Sequence, residues 1–504
     1  MNIVNIMNFA RSFEPRDLEL EKKLPDTTIN QMKLVKELGV PATFLLQYDV
    51  LCNEEFISRI KAECTPDIEL GFWYEVVEPL TTACGIPYES EHGWKWDWHI
   101  KPGFSMAYPN HEREVLIDEA MRKFREVFGY YPRTVGSWLL DTHTVNYLTD
   151  NYEIDALCIC RDQVNTDAYT MIGGYFNQAY YPSKNNIFTP ASSESTQTNV
   201  PVFRLLGPDP IHNYDNEKFA GSAIEHGPYT MEVALLKTGG GNPEIVDWYL
   251  KNYFDNESLG FAYMQIGQEN SFCTFDICNL LKMQIEKIKK LKHVKIEKMG
   301  DTGKAFKEKY ASTPATALCA LDNWDTEDVQ SIYYDSKHYT ANVVRHGNKV
   351  FIRSLYLFDD SVEDAYNNAL CDTFDAVYEN LPIVDTIYQK GDTDGGYGMI
   401  LDSGADNLVA LSGDDSTLEV CWNNNSIVFA EDRILIRKCK IEFTPMMINT
   451  VISVRDNSID FEYKSHKYSL GIIDGKVYSK NNTIFIEGEN VTLCPSKNTR
   501  IKKN

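Results

Sequence analysis

The chain is short of positive charge: 49 lysines and arginines stand against 73 aspartates and glutamates, a formal net charge of -24 over 504 residues. Without a cationic excess to neutralise phosphates, nucleic acid and anionic membrane surfaces are not expected partners, and a neutral or cationic small molecule fits better. No apolar run reaches the length needed to span a bilayer. The stretch MNIVNIMNFARSF has no basic leader, and Asn5, Asn8 and Arg11 interrupt any signal-peptide core, so a cytoplasmic location is expected. The twelve cysteines form no CxxC pair. Scattered reduced thiols follow from that spacing, rather than a disulfide framework or a zinc cluster. Internal repeats and low-complexity tracts are also missing.

What is present is ordinary globular material, 43% hydrophobic and 24% charged, in a chain long enough for two or three domains. Through the first three hundred residues strand-like and helix-like segments alternate, the pattern of a parallel sheet wrapped by helices. Seven strands are predicted: Asn2 to Phe9, Ala42 to Gln47, Ile68 to Tyr74, Thr134 to Leu140, Ala156 to Cys160, Val200 to Leu206 and Gly260 to Ile266. Helical spacing of Leu116, Ala120, Phe124 and Phe128 behind Asn110 as a cap, and of Ile277, Leu281, Ile285 and Ile288, marks two amphipathic helices over His111 to Phe128 and Asp276 to Leu291. From about Ser331 short β-rich runs with Gly, Asn and Asp turns replace the helices. Only Asp360 to Leu381 could be a helix or a long loop. The fold class is therefore α/β: a (β/α)7-type barrel over residues 1–310, a connecting segment over 311–330, and an antiparallel, sandwich-like β-domain over 331–504.

If seven strands close or nearly close, their C-terminal ends bring distant residues to one mouth. Arg11 and Glu14 come from strand one, Glu75 from three, Asp141 and His143 from four, Arg161, Asp162 and Asp167 from five, Asp209 from six, and Gln268 and Glu269 from seven. Aromatic residues interleave with them: Trp73, Trp94, Trp96, Trp98, Trp138, Tyr175, Tyr180 and Tyr181. Carboxylates beside aromatic platforms suit a sugar, whose ring faces stack and whose hydroxyl edges hydrogen-bond. Each of these residues also has a plainer reading, core packing for a tryptophan and helix capping for a strand-end carboxylate.

Glycoside cleavage needs two carboxyls across the scissile bond. Asp141, at the end of RTVGSWLLDTHT, is the expected nucleophile, and Glu269, in QIGQENSF, the expected acid/base. Both could instead cap the helices that follow, and Asp209 in GPDP is the reserve, or a turn former. Asp97 and His99 in WDWH, with His143, could build a metal site, but the three lack a ligand spacing, and hydrogen bonding to substrate is the expectation.

The seven-strand alternation, the segment PATFLLQYD and the segment IELGFWYE resemble the barrel shared by polysaccharide deacetylases, α-mannosidases and amylopullulanase-like hydrolases. The spacing from Trp138 to Asp141 is similar to the α-mannosidase pattern that places a nucleophile after strand four. Asp141 and Glu269 match the amylopullulanase-like placement after strands four and seven. Over nearly its full length the chain also resembles an uncharacterised bacterial family in which such a barrel precedes a β-domain. The resemblance to deacetylases implies a divalent metal held by one Asp and two His, but Glu69 to Glu75 contains no histidine. The α-mannosidase resemblance implies zinc bound at the end of strand one, where this chain reads Asn8-Phe9-Ala10-Arg11. The expectation is a metal-independent, cofactor-free glycoside hydrolase acting on a carbohydrate. A metal-dependent deacetylase of amino sugars and a non-catalytic carbohydrate-binding barrel are the alternatives.

Overall fold

A computed structural model describes residues 1–15, 17–160, 173–176, 178–212, 229–374, 376, 378–386, 398–438, 440–445 and 450–496. The first sheet holds β1 (Asn2–Ala10), β2 (Ala42–Leu46), β3 (Ile68–Trp73), β4 (Thr134–Ser137), β5 (Ala156–Ile159), β6 (Ala179–Tyr180), β7 (Val202–Arg204), β9 (Ala262–Ile266) and β10 (Lys295–Glu297). β8 (Ser258–Leu259) belongs to another sheet. Seven strands run parallel in the order β9-β1-β2-β3-β4-β5-β7. They are the seven read from the sequence. Between β7 and β9 the Gly207 amide donates to the Gln265 carbonyl at 3.1 Å, so the sheet curls into a nearly closed barrel.

Strands buried on both faces are mostly apolar, as ATFLL and ALCI are, while NIVNIMNFA also buries Asn5 and Asn8, each hydrogen-bonded. The helices of ten or more residues are α1 (Leu24–Leu38), α2 (Glu54–Glu63), α3 (Asn110–Phe128), α4 (Thr142–Asn151), α5 (Pro243–Phe254), α6 (Ile277–Ile288) and α7 (Met299–Lys309) among the described residues. In α3 the buried Leu116, Ala120 and Phe124 form the stripe expected from spacing, and Gly129 ends the helix in the left-handed region. Asn110 does not cap it. Pro109 holds that position, and the Asn110 amide donates to the Asn367 carbonyl.

The remaining strands form two antiparallel sheets of ten and eight strands that share one core, with Ile332, Val343 and Ile352 facing Leu418, Phe429 and Phe461. The ten-stranded sheet starts earlier than expected. Thr316–Ala320, inside the segment read as a connector, pairs with both β8 and Val329–Asp335. The described residues of 360–380 form a loop with one short 3-10 turn, Ala365–Asn367, rather than a helix, and Leu381 opens the strand Leu381–Asp385. The β-region also packs on the barrel's own core, to which Leu318, Tyr333, Val344, Phe351 and Tyr366 belong. No helix among the described residues is long and apolar enough to cross a membrane.

Candidate active site at the barrel mouth

β1 ends at Ala10, which delivers Arg11 to the mouth, where its side chain is almost wholly buried. Its Nη2 donates to Glu269 Oε1 at 2.6 Å and to Ser271 Oγ at 2.8 Å, and Ser271 Oγ donates a short bond to the same carboxylate oxygen. The guanidinium lies 3.9 Å above the Trp96 ring, and Trp96 Nε1 donates to Glu75 Oε2 at 3.0 Å. Gln47, just beyond β2, donates to the same oxygen at 2.5 Å. Four strand ends therefore converge on one buried polar set: Arg11, Gln47, Glu75 and Glu269.

Burial pushes the Glu75 carboxyl up to about 7, and the nearby Glu269 charge works in the same direction, while Arg11 opposes the rise. Several buried polar atoms here have no hydrogen-bond partner: Glu75 Oε1, Gln47 Oε1, Asn8 Nδ2, and Arg11 Nε and Nη1. Buried polar groups are rarely left unpaired, so this cluster stands apart from the ordinary core of the barrel. Neighbouring groups fix the frame. Asn8 Oδ1 accepts from the Gln268 amide and from Gln31, and Gln268 Nε2 donates to Glu232. Asp49 accepts from the Ser12, Phe13 and Val50 amides, clamping the turn that follows β1.

The other expected site residues divide. Trp73 and Trp138 stay inside the barrel, Trp73 stacked on Phe9 at 3.8 Å and Trp138 edge-on to both rings. Glu14 is buried just past β1. Arg161, Asp162 and Asp167 lie outside the described residues. Tyr175, Tyr180 and Tyr181 are core residues whose hydroxyls reach the Pro314, Ile187 and Tyr310 carbonyls. Asp209 shapes a turn, accepting from the Ile211 and His212 amides and from Trp324 Nε1, and burial raises its carboxyl above the usual range.

Asp141, the expected nucleophile, lies buried where α3 meets α4. It caps α4 by accepting from Thr144 N at 2.9 Å, and it also accepts from Thr144 Oγ1, Ser105 Oγ and Arg113 Nη1, with both members of the Arg113 pair fully buried. Its lone pairs are committed to the seam between α3 and α4. His143, one residue into α4, turns to Glu114 on α3 and away from Asp97. The residue that joins Asp97 and His99 is instead His92, from the same loop. Hydrogen bonds hold the Asp97 carboxyl below its ordinary range although burial opposes them, the strongest coming from His99. Gln47 and His92 were missed in the sequence. The signal for Gln47 was its place at a strand end, and for His92 its place in HGWKWDWH.

A deacetylase-type metal does not fit the mouth. Glu69, which opens the stretch that would carry the ligands, is committed to Thr43, Thr134 and the Gly300 amide. Around Glu75 and Glu269 the described donors are carboxylates and amides with the Arg11 guanidinium among them, a cation already in the place a second would need.

No family model matches the chain, and no curated protein matches it in sequence. Solved structures do match. One from Parabacteroides distasonis, provisionally named a glycoside hydrolase/deacetylase, aligns over 74% of this chain and 89% of its own at 14% identity, with a TM-score of 0.52. The likeness is one of fold. A provisionally named polysaccharide deacetylase from Mycobacterium smegmatis covers 60% of this chain and 89% of its own at 12% identity and a TM-score of 0.37. In fold alone the chain is similar to the Parabacteroides structure, and its own architecture is a nearly closed barrel followed by antiparallel β-sheets.

Proposed function

We propose that the chain is a carbohydrate-active hydrolase whose reaction centre is the Glu75–Arg11–Glu269 set, and that it cleaves a glycosidic bond. One observation carries the reading: Glu75, whose carboxyl burial pushes up to about 7, sits at the same buried mouth as Glu269, the ion-pair partner of Arg11. Two carboxyls in different environments are what this hydrolysis uses. Glu75 donates its proton to the leaving glycosidic oxygen. Glu269, oriented by Arg11 and Ser271, attacks the anomeric carbon or takes the proton of an attacking water. The unpaired atoms of Gln47, Asn8 and Arg11 supply hydrogen bonds to sugar hydroxyls, and Trp96 supplies a ring face. Asp141 gives up the nucleophile's role to Glu269.

A deacetylase of amino sugars is the second reading, and the fold supports it at least as well, since the name of the Parabacteroides neighbour pairs both activities. That chemistry uses a metal to activate water. Incubating the protein with a panel of oligosaccharides, acetylated and not, separates the two. Release of reducing ends without release of acetate supports glycoside cleavage. Release of acetate abolished by chelation overturns it in favour of the deacetylase.

A further inference from the structure

The loop after β3 gathers a second set of groups outside the mouth. His92, Asp97 and His99 each offer one donor atom, and the three atoms lie within 4.8 Å of one another. His99 Nδ1 is 2.7 Å from Asp97 Oδ1, and His92 Nδ1 is 3.3 Å from Asp97 Oδ2. In a tetrahedral site with metal bonds of ~2.1 Å, neighbouring donors stand about 3.4 Å apart, a spacing that lies within the range of this triangle.

We propose that His92, Asp97 and His99 bind one divalent transition-metal ion of the zinc class, with the fourth position open to solvent beside His92. Two imidazoles and one carboxylate suit zinc, cobalt or nickel, whereas calcium and magnesium call for oxygen donors. The surroundings orient the donors as supports of metal ligands do. Asp97 is buried and held by Ser90 Oγ at 2.8 Å and by the His99 amide at 3.1 Å. The His92 ring stacks on Trp94 at 4.1 Å, and His99 packs against Trp98 and Phe374. The two imidazoles lie nearly parallel, with centroids 5.5 Å apart. This is not the position that the deacetylase resemblance implies, which falls in residues 69–75. Its role follows from its neighbour. Trp96 precedes Asp97 and reaches both Glu75 and Arg11, so an ion here fastens the loop that seats Trp96 in the mouth.

The test uses tag-free, full-length protein dialysed against chelator and titrated with cobalt(II), then with zinc. The expected result is one cobalt per chain with the visible absorption of a four-coordinate ion, displaced by stoichiometric zinc. His92→Ala and His99→Ala should each bind at least tenfold more weakly. The His92 side chain is 43% exposed on a surface loop, so His92→Ala should keep the metal-free melting temperature and serve as the folded control. No saturable binding, or equal affinity in His92→Ala, overturns the proposal and leaves Asp97 as a hydrogen-bonded staple of the loop. Neither result depends on catalysis, so this site and the reaction assigned to the mouth stand or fall separately.

Discussion

Glu75 and Asp141 are both buried carboxylates beyond the ends of adjacent strands, and their surroundings set them apart. Asp141 accepts four hydrogen bonds at the helix seam, one of them from Arg113; Glu75 keeps one oxygen unpaired and is pushed up to about 7 by burial. Replacing Asp141 with Asn leaves the Arg113 charge buried without a counter-charge, a loss of roughly 3–5 kcal/mol. Chemical denaturation should show it, with turnover per folded molecule near that of the wild type. Glu75→Gln should do the reverse. Between the unfolded carboxyl value near ~4.3 and about 7, the native state binds the extra proton, so the native Glu75 costs stability progressively as pH rises through that window. The variant should therefore melt higher than wild type at pH 8 and lose that advantage at pH 4. A variant that melts lower at both pH values would contradict the raised proton affinity. In the wild type, activity that needs the protonated acid should fall as pH rises through about 7.

At the scale of elements, the mouth depends on close approaches that a strand pattern alone does not reveal. Gly267, with φ of 132°, leads from β9 into Gln268 and Glu269, and a Cβ there would collide with the Met7 carbonyl of β1. Gly267→Ala should cost about 2 kcal/mol or more from backbone strain, read as a lower urea midpoint, and should displace Glu269 from Arg11. The seven strands were legible because a parallel strand buried on both faces is mostly apolar along its length. Function at their ends was less so. DTHT at the start of α4 reads the same whether Asp141 caps a helix or attacks a substrate, and the partner that holds it in the helix seam, Arg113, lies on α3. Arg11 and Glu269 are 258 positions apart in sequence, so their pairing needed the barrel itself to be seen. His143 looked as well placed as His99 until α4 turned it toward Glu114.

At the scale of the molecule, the β-region is part of what holds the barrel's loops. Arg353 donates to the Ile211 carbonyl, Trp324 to Asp209, and Tyr333 stacks on Phe176 at 3.5 Å. A chain cut after Lys309 would expose the apolar surface those residues cover. It should aggregate or unfold with a broad transition, where the full chain unfolds cooperatively by calorimetry. The central claim is that Glu75 and Glu269 carry out hydrolysis at this mouth. The most direct test measures product release from the oligosaccharide panel by wild type, Glu75→Gln and Asp141→Asn, each normalised to its folded fraction. The account predicts turnover in the wild type, a loss of roughly 10²-fold or more in Glu75→Gln, and near-normal rates in Asp141→Asn. Wild-type rates in Glu75→Gln, or loss confined to Asp141→Asn, would contradict it.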